Sequence, residues 1–119
     1  GCAIVRLCNK NSGLDGDVRL TIDGVELEAL NGKCSPCRAL PVGSNLEASL
    51  VVETVTQQLD PVTNTVVTVV EKVIDQTKLL TLSDNTELEL SFVPVIQDGQ
   101  IVAQDLETEI LIAGTCGVN

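Results

Sequence analysis

The five cysteines of this 119-residue chain, Cys2, Cys8, Cys34, Cys37 and Cys116, are the side chains with the most reactive chemistry in it. Thiolates bind metals, exchange disulfides and act as nucleophiles, and paired thiols cross-link a chain. Two stand near the ends, one closes the first apolar run, and two form Cys34-Ser35-Pro36-Cys37. This density in a short aliphatic chain leads first to the expectation of a disulfide framework in an oxidising compartment. An odd count leaves one thiol over, which points to a bond with another chain. Cys2, ahead of the first apolar run, is the natural candidate, and Cys116 is the second. A four-cysteine zinc site competes with this reading, Cys34 and Cys37 supplying half of a tetrahedral thiolate set and Cys8 and Cys116 the rest. A redox CxxC would need the helix that lowers the thiolate pKa in such sites. A free or lipidated thiol is the last option. Spacing leaves the connectivity open.

Other reactive groups are sparse. The chain has no His, which removes most catalytic triads and the usual general base. Glu87 with Glu89 and Glu107 with Glu109 share a face if their segments are strands. They could flank a substrate or a cation, but their alternation with apolar residues marks a solvated face. Asp15-Gly16-Asp17 resembles a fragment of a calcium loop without the rest of its ligand series. There is no Gly-rich phosphate cradle. The expectation is a protein that is not an enzyme, with no catalytic residue, no cofactor and no metal.

The elements carrying these residues read as strands, because apolar residues recur with period two. Segment 3–8 is a first strand and 9–17 a loop. Val18, Leu20 and Ile22 alternate with polar residues, Asp23-Gly24 marks a two-residue hairpin, and Val25, Leu27 and Ala29 return. Segment 33–41, with two prolines, is an irregular edge. Segments 46–57 and 65–74, joined by Asp60-Pro61-Val62-Thr63-Asn64, form an extended hairpin rich in β-branched residues. Strands at 76–82, 87–96, 100–104 and 106–113 complete the set. The fold class is all-β: a single antiparallel β-sandwich of about 8–10 strands, jelly-roll or immunoglobulin-like, over residues 1–119. Residues 1–8 serve as its N-terminal arm or first strand.

Composition narrows the function. The one aromatic residue, Phe92, alternates with Leu88 and Leu90 and belongs to the core, which leaves no aromatic platform for sugars. A formal charge of −10 with scattered Lys and Arg argues against nucleic acid. No apolar run reaches the roughly 20 residues of a membrane span. No signal peptide is visible, and the start at Gly1 is read as a leader removed or a chain trimmed.

With Cys2 in Gly1-Cys2-Ala3 and Cys34, Cys37 and Cys116 in the body, the chain resembles the disulfide-linked β-sandwich filament subunits of bacterial spore appendages. That resemblance is architectural, and those subunits carry their arm cysteines on a longer leader. It implies that Cys2 bonds to another subunit, with Cys116 or the Cys34/Cys37 pair receiving it. The expected function is a structural subunit of a self-assembling extracellular filament or coat, on a cell or spore surface, held by disulfides within or between subunits. Its partners are copies of itself, joined through terminal arms and cysteines. The alternatives are a secreted monomeric protein-binding or adhesion module with internal disulfides, and a zinc-stabilised β domain.

Overall fold

Eight strands arise from the alternating runs in the computed structural model, which describes residues 1–10, 13 and 16–116, with the backbone alone at 54, 55 and 71–73. They are β1 (Cys2–Leu7), β2 (Gly16–Ile22), β3 (Val25–Ala29), β4 (Arg38–Pro41), β5 (Gly43–Asp60), β6 (Thr65–Leu82), β7 (Glu87–Gln97) and β8 (Gln100–Ile110). Two four-stranded sheets form, ordered β4-β1-β7-β8 and β3-β2-β5-β6. Packed together they make the expected all-β sandwich.

β1, β2, β3 and β7 bury alternate residues, as does β5 over 48–52. Ala3, Val5 and Leu7 of β1, Val18, Leu20 and Ile22 of β2, Ala48, Leu50 and Val52 of β5, and Leu88, Leu90 and Phe92 of β7 are all buried in one cluster. Aliphatic side chains fill this core, each contributing about 1.5–3 kcal/mol when fully buried. Phe92 is in it, as its alternation predicted.

Three hairpins supply most of the ladders: β2–β3, β5–β6 and β7–β8. Asp23-Gly24 and Asp98-Gly99 close two of them with positive φ at both residues (48° and 78°, 51° and 75°). That pair of conformations is the two-residue turn whose twist matches the flanking strands. The remaining pairs are less local. β1 runs antiparallel to β4 and parallel to β7, so it is an interior strand. Cys2 therefore begins a paired strand and does not lie on a free arm.

Two expected breaks are absent. Segments 65–74 and 76–82 are the single strand β6, and 100–104 joins the following segment as β8. Asp75 and Asp105, which fall between the segments read as separate strands, are strand positions paired with Val51 and Val93. Both are exposed, so the charge costs nothing there. The sheet also ends three residues earlier than expected, at Ile110, because 111–116 turns back over it.

The β5–β6 hairpin outruns the sandwich. β2 pairs with β5 only as far as Thr54. Beyond that point, among the described residues, β5 and β6 pair only with each other, from Val55↔Val70 to Asp60↔Thr65. Eighteen-residue strands at about 3.3 Å per residue span close to 60 Å, which accounts for the 56 Å long axis of the molecule. A register shift after Val52↔Ile74 brings Glu53 opposite Lys72. The extra residue in β6 changes its parity. Even-numbered Ile74 and Leu80 face the core, whereas in the projecting ribbon Leu59, Val66 and Val70 continue the outer face.

β6 and β8 are both sheet edges, and they border the same open side of the sandwich. Gln76 bridges them. Its side-chain amide donates to the Gln104 carbonyl (2.5 Å) and its oxygen accepts from the Gln104 N–H (3.3 Å). One glutamine side chain thus acts as a peptide unit between two strands that do not otherwise pair.

Candidate functional site

Four of the five cysteines form two bridges, Cys8–Cys34 and Cys37–Cys116. Cys2 is the free cysteine and is exposed. Neither bridge joins the two cysteines of the CxxC.

Local pairing explains the first bridge. The segment before β4 runs antiparallel to the end of β1: Asn9 donates to the Lys33 carbonyl, and Ser35 donates to that of Leu7, at 2.8 and 2.7 Å. The Ser35 hydroxyl accepts the Leu7 N–H, so the backbone is held from both sides. Cys8 and Cys34 face each other in this short ladder with Cα atoms 4.0 Å apart. Beside them the buried Asn9 donates to the carbonyls of Gly16 and Ala29, tying β1, β2 and β3 together.

A carboxylate explains the second. After β8 the chain turns at 112–115, where Thr115 donates to the Ile112 carbonyl at 3.0 Å. The N–H groups of Gly114 and Cys116 both donate to the carboxylate of Glu87 on β7. This turn brings Cys116 to Cys37, although the strands next to them, β8 and β4, are opposite edges of the sheet.

The first carboxylate pair is engaged within the fold. Glu87 anchors that turn, and Glu89 forms an ion pair with Arg6 at 2.7 Å. Glu89 lies directly opposite Glu109 on β8, and Arg6 beside it offsets the like charges. Glu107 and Glu109 are exposed. Asp17 accepts the Asn31 N–H at 3.1 Å. Asp15, the other carboxylate of the calcium-like fragment, lies outside the described residues.

Metal binding fares no better on this geometry. Cys8, Cys34 and Glu89 bring ligand-type atoms within 4.8 Å of one another, but the two sulfurs are bonded to each other and offer no thiolate. Cys37 and Cys116 are likewise committed. A cleft of about 740 Å³ opens between β6 and β8, lined by Leu80, Leu88, Leu106, Thr108 and Ile110, with Lys78 and Asp105 paired 3.6 Å apart at its edge.

At the far end of β5 and β6, the Asp60 carboxylate accepts the Val62 N–H at 2.9 Å, which holds its pKa below the ordinary aspartate value. Val62 at the tip is 90 % exposed, and Leu59, Val66 and Val70 are 61, 67 and 59 % exposed. Among the described residues, no helix is long and apolar enough to cross a membrane. The sequence singled out all five cysteines, but not the Glu87 clamp or the projecting ribbon as separate features. The ribbon's signal was there in the run 54–70, where Asp60 is the sole charged residue.

No protein-family model, curated protein or solved structure matches the chain.

Proposed function

We propose that this chain is a structural subunit of a self-assembling extracellular filament or coat, with disulfides holding both the fold and the contacts between subunits. The observation that carries this reading is the division of the cysteines: four bridge the sandwich internally and Cys2 stands exposed outside them. Internal bridges fit a protein of an oxidising environment. There an exposed thiol at the start of a strand is a ready site for a bond between chains.

The spore-appendage resemblance assigned the receiving role to Cys116 or the Cys34/Cys37 pair. All three are engaged within the chain, so the partner for Cys2 is Cys2 of a second copy. Oxidation of two Cys2 thiols by an external oxidant links two chains and releases two protons and two electrons. Such a link alone makes covalent pairs, and a longer assembly needs a second, non-covalent contact.

The test is electrophoresis of the native protein in detergent with and without reductant, followed by mass mapping of cysteine peptides and electron microscopy. The reading expects a band at twice 12.6 kDa that collapses on reduction. It also expects a Cys2–Cys2 peptide and extended assemblies on the grid. A monomer under both conditions and a grid without assemblies would overturn it in favour of a monomeric binding module.

A further inference from the structure

The ribbon formed by the ends of β5 and β6 is built unlike every other edge of the molecule. The free edges of the two sheets are β3, β4, β8 and the sandwich part of β6. β3 carries Glu26 and Glu28, β4 carries Arg38 and Pro41, and β8 carries Asp105. The upper part of β6 carries Asp75 and Lys78. Charges and prolines on edge strands are the usual guard against pairing with another chain. Along 54–70 the guard is missing: both strands are uncharged up to Asp60 at the turn.

Among the described residues, five large aliphatic side chains on this ribbon lie open to solvent, at Leu59, Val62, Val66, Val67 and Val70. A two-stranded hairpin is at best marginally stable in water, and this one has no third strand among the described residues. Gln57 and Thr68 hydrogen-bond across it, which aligns its strands without covering the apolar residues around them.

Length and charge select the occupant. The uncharged strand segments 54–59 and 65–70 have six residues each, short of the about 9–11 that a membrane-spanning strand requires. The chain as a whole carries −10, so two copies repel over most of their surfaces. They approach without that repulsion where charge is absent, and among the described residues an equally unguarded edge occurs only on the same ribbon of another copy.

We infer that the β5–β6 ribbon pairs edge to edge with the ribbon of a second copy of this chain, extending the two-stranded ribbon to four strands. This deepens the self-assembly reading and rests on it. Placement gives the contact its role. Cys2 pairs with Pro41 and accepts the Asn85 N–H at its carbonyl, near the end where β5 begins and β6 finishes. The ribbon tip is at the other end of the 56 Å axis. Two self-complementary contacts at opposite ends, alternating, propagate an open chain of copies.

The experiment uses a Cys2→Ser background, so that no covalent link contributes and the internal bridges stay oxidised. Sedimentation velocity over a concentration series is expected to show monomers associating to twice the mass. Val66→Glu/Val70→Glu is expected to weaken that association at least tenfold. Circular dichroism and cysteine mapping verify that the variant keeps its strands and both bridges. A milder Val66→Thr/Val70→Thr variant preserves β-propensity should the charged one misfold. Hydrogen exchange adds a local readout: amides in 65–70 are expected to gain protection as concentration rises.

If the Cys2→Ser chain associates and the ribbon variants associate equally well, the ribbon contact is wrong while self-assembly stands. Protection that rises with concentration only elsewhere has the same meaning. A Cys2→Ser chain that stays monomeric at every concentration overturns the ribbon contact. The reading of the native protein then stands or falls on its own covalent pairs and filaments.

Discussion

Glu87 is a carboxylate whose use depends on a chain segment far from it in sequence. From its alternation with Leu88 it reads as one of several solvated acids, yet it accepts two N–H groups of the C-terminal turn. Hydrogen bonds to a charged group contribute about 1.5–3 kcal/mol each when well buried, and partial exposure reduces that here. Glu87→Ala should therefore lower stability by about 1–2 kcal/mol in denaturant titration. It should also speed reduction of the Cys37–Cys116 bridge, read by timed alkylation. Asp60 acts differently because protonation switches it. Its folded pKa is lowered by the Val62 N–H, so its stabilisation is complete above the unfolded value, about 4. That stabilisation is lost as pH falls through the folded value. Protection of the Val62 amide relative to its intrinsic exchange rate should fall on acidification, and Asp60→Asn should remove that dependence.

Among the elements, hairpins were the most legible and long strands the least. Asp23-Gly24 and Asp98-Gly99 announced their turns because few sequences tolerate positive φ at two successive positions. Gly99→Ala should cost about 1 kcal/mol, seen as a lower denaturation midpoint, since its φ of 75° disfavours a Cβ. Asp75 and Asp105 fall between segments read as separate strands, yet each is an exposed strand position that accommodates its charge. Length is where neighbouring elements decide. β5 continues past the last partner it has in β2, and its continuation is a ribbon that the sandwich does not support. In a dilute Cys2→Ser sample the amides of 65–70 should exchange faster than those of 76–80, which lie beside the sandwich.

For the whole molecule, the two bridges close sequence separations of 26 and 79 residues. Chain-entropy estimates give about 3.5 and about 4.5 kcal/mol for such loops. Each is a large share of the 5–15 kcal/mol typical of a domain's net stability. Cys37→Ser/Cys116→Ser should accordingly lose about 1 kcal/mol more than Cys8→Ser/Cys34→Ser in denaturant unfolding. The reverse order would show that native contacts around the partly buried Cys8–Cys34 bridge outweigh loop length. A charge of −10 works in the opposite direction to assembly, so added salt should strengthen any association of the Cys2→Ser chain.

Period-two alternation was enough to establish strands, their buried faces and the place of Phe92, because each depends on residue type and short spacing alone. Cysteine count was enough to predict a framework with one thiol left over. Which thiol that was depended on distances through space. Cys34 meets Cys8 because segment 33–35 pairs with the end of β1, and Cys116 meets Cys37 because Glu87 folds the C-terminal turn across the sheet. The parallel β1–β7 pair and the open β6–β8 side likewise join residues about 80 and 28 positions apart. Short-range patterns carry no information about such contacts, since loop-closure cost grows only slowly with separation and leaves many partners nearly equivalent. Packing two sheets into one core selects among them.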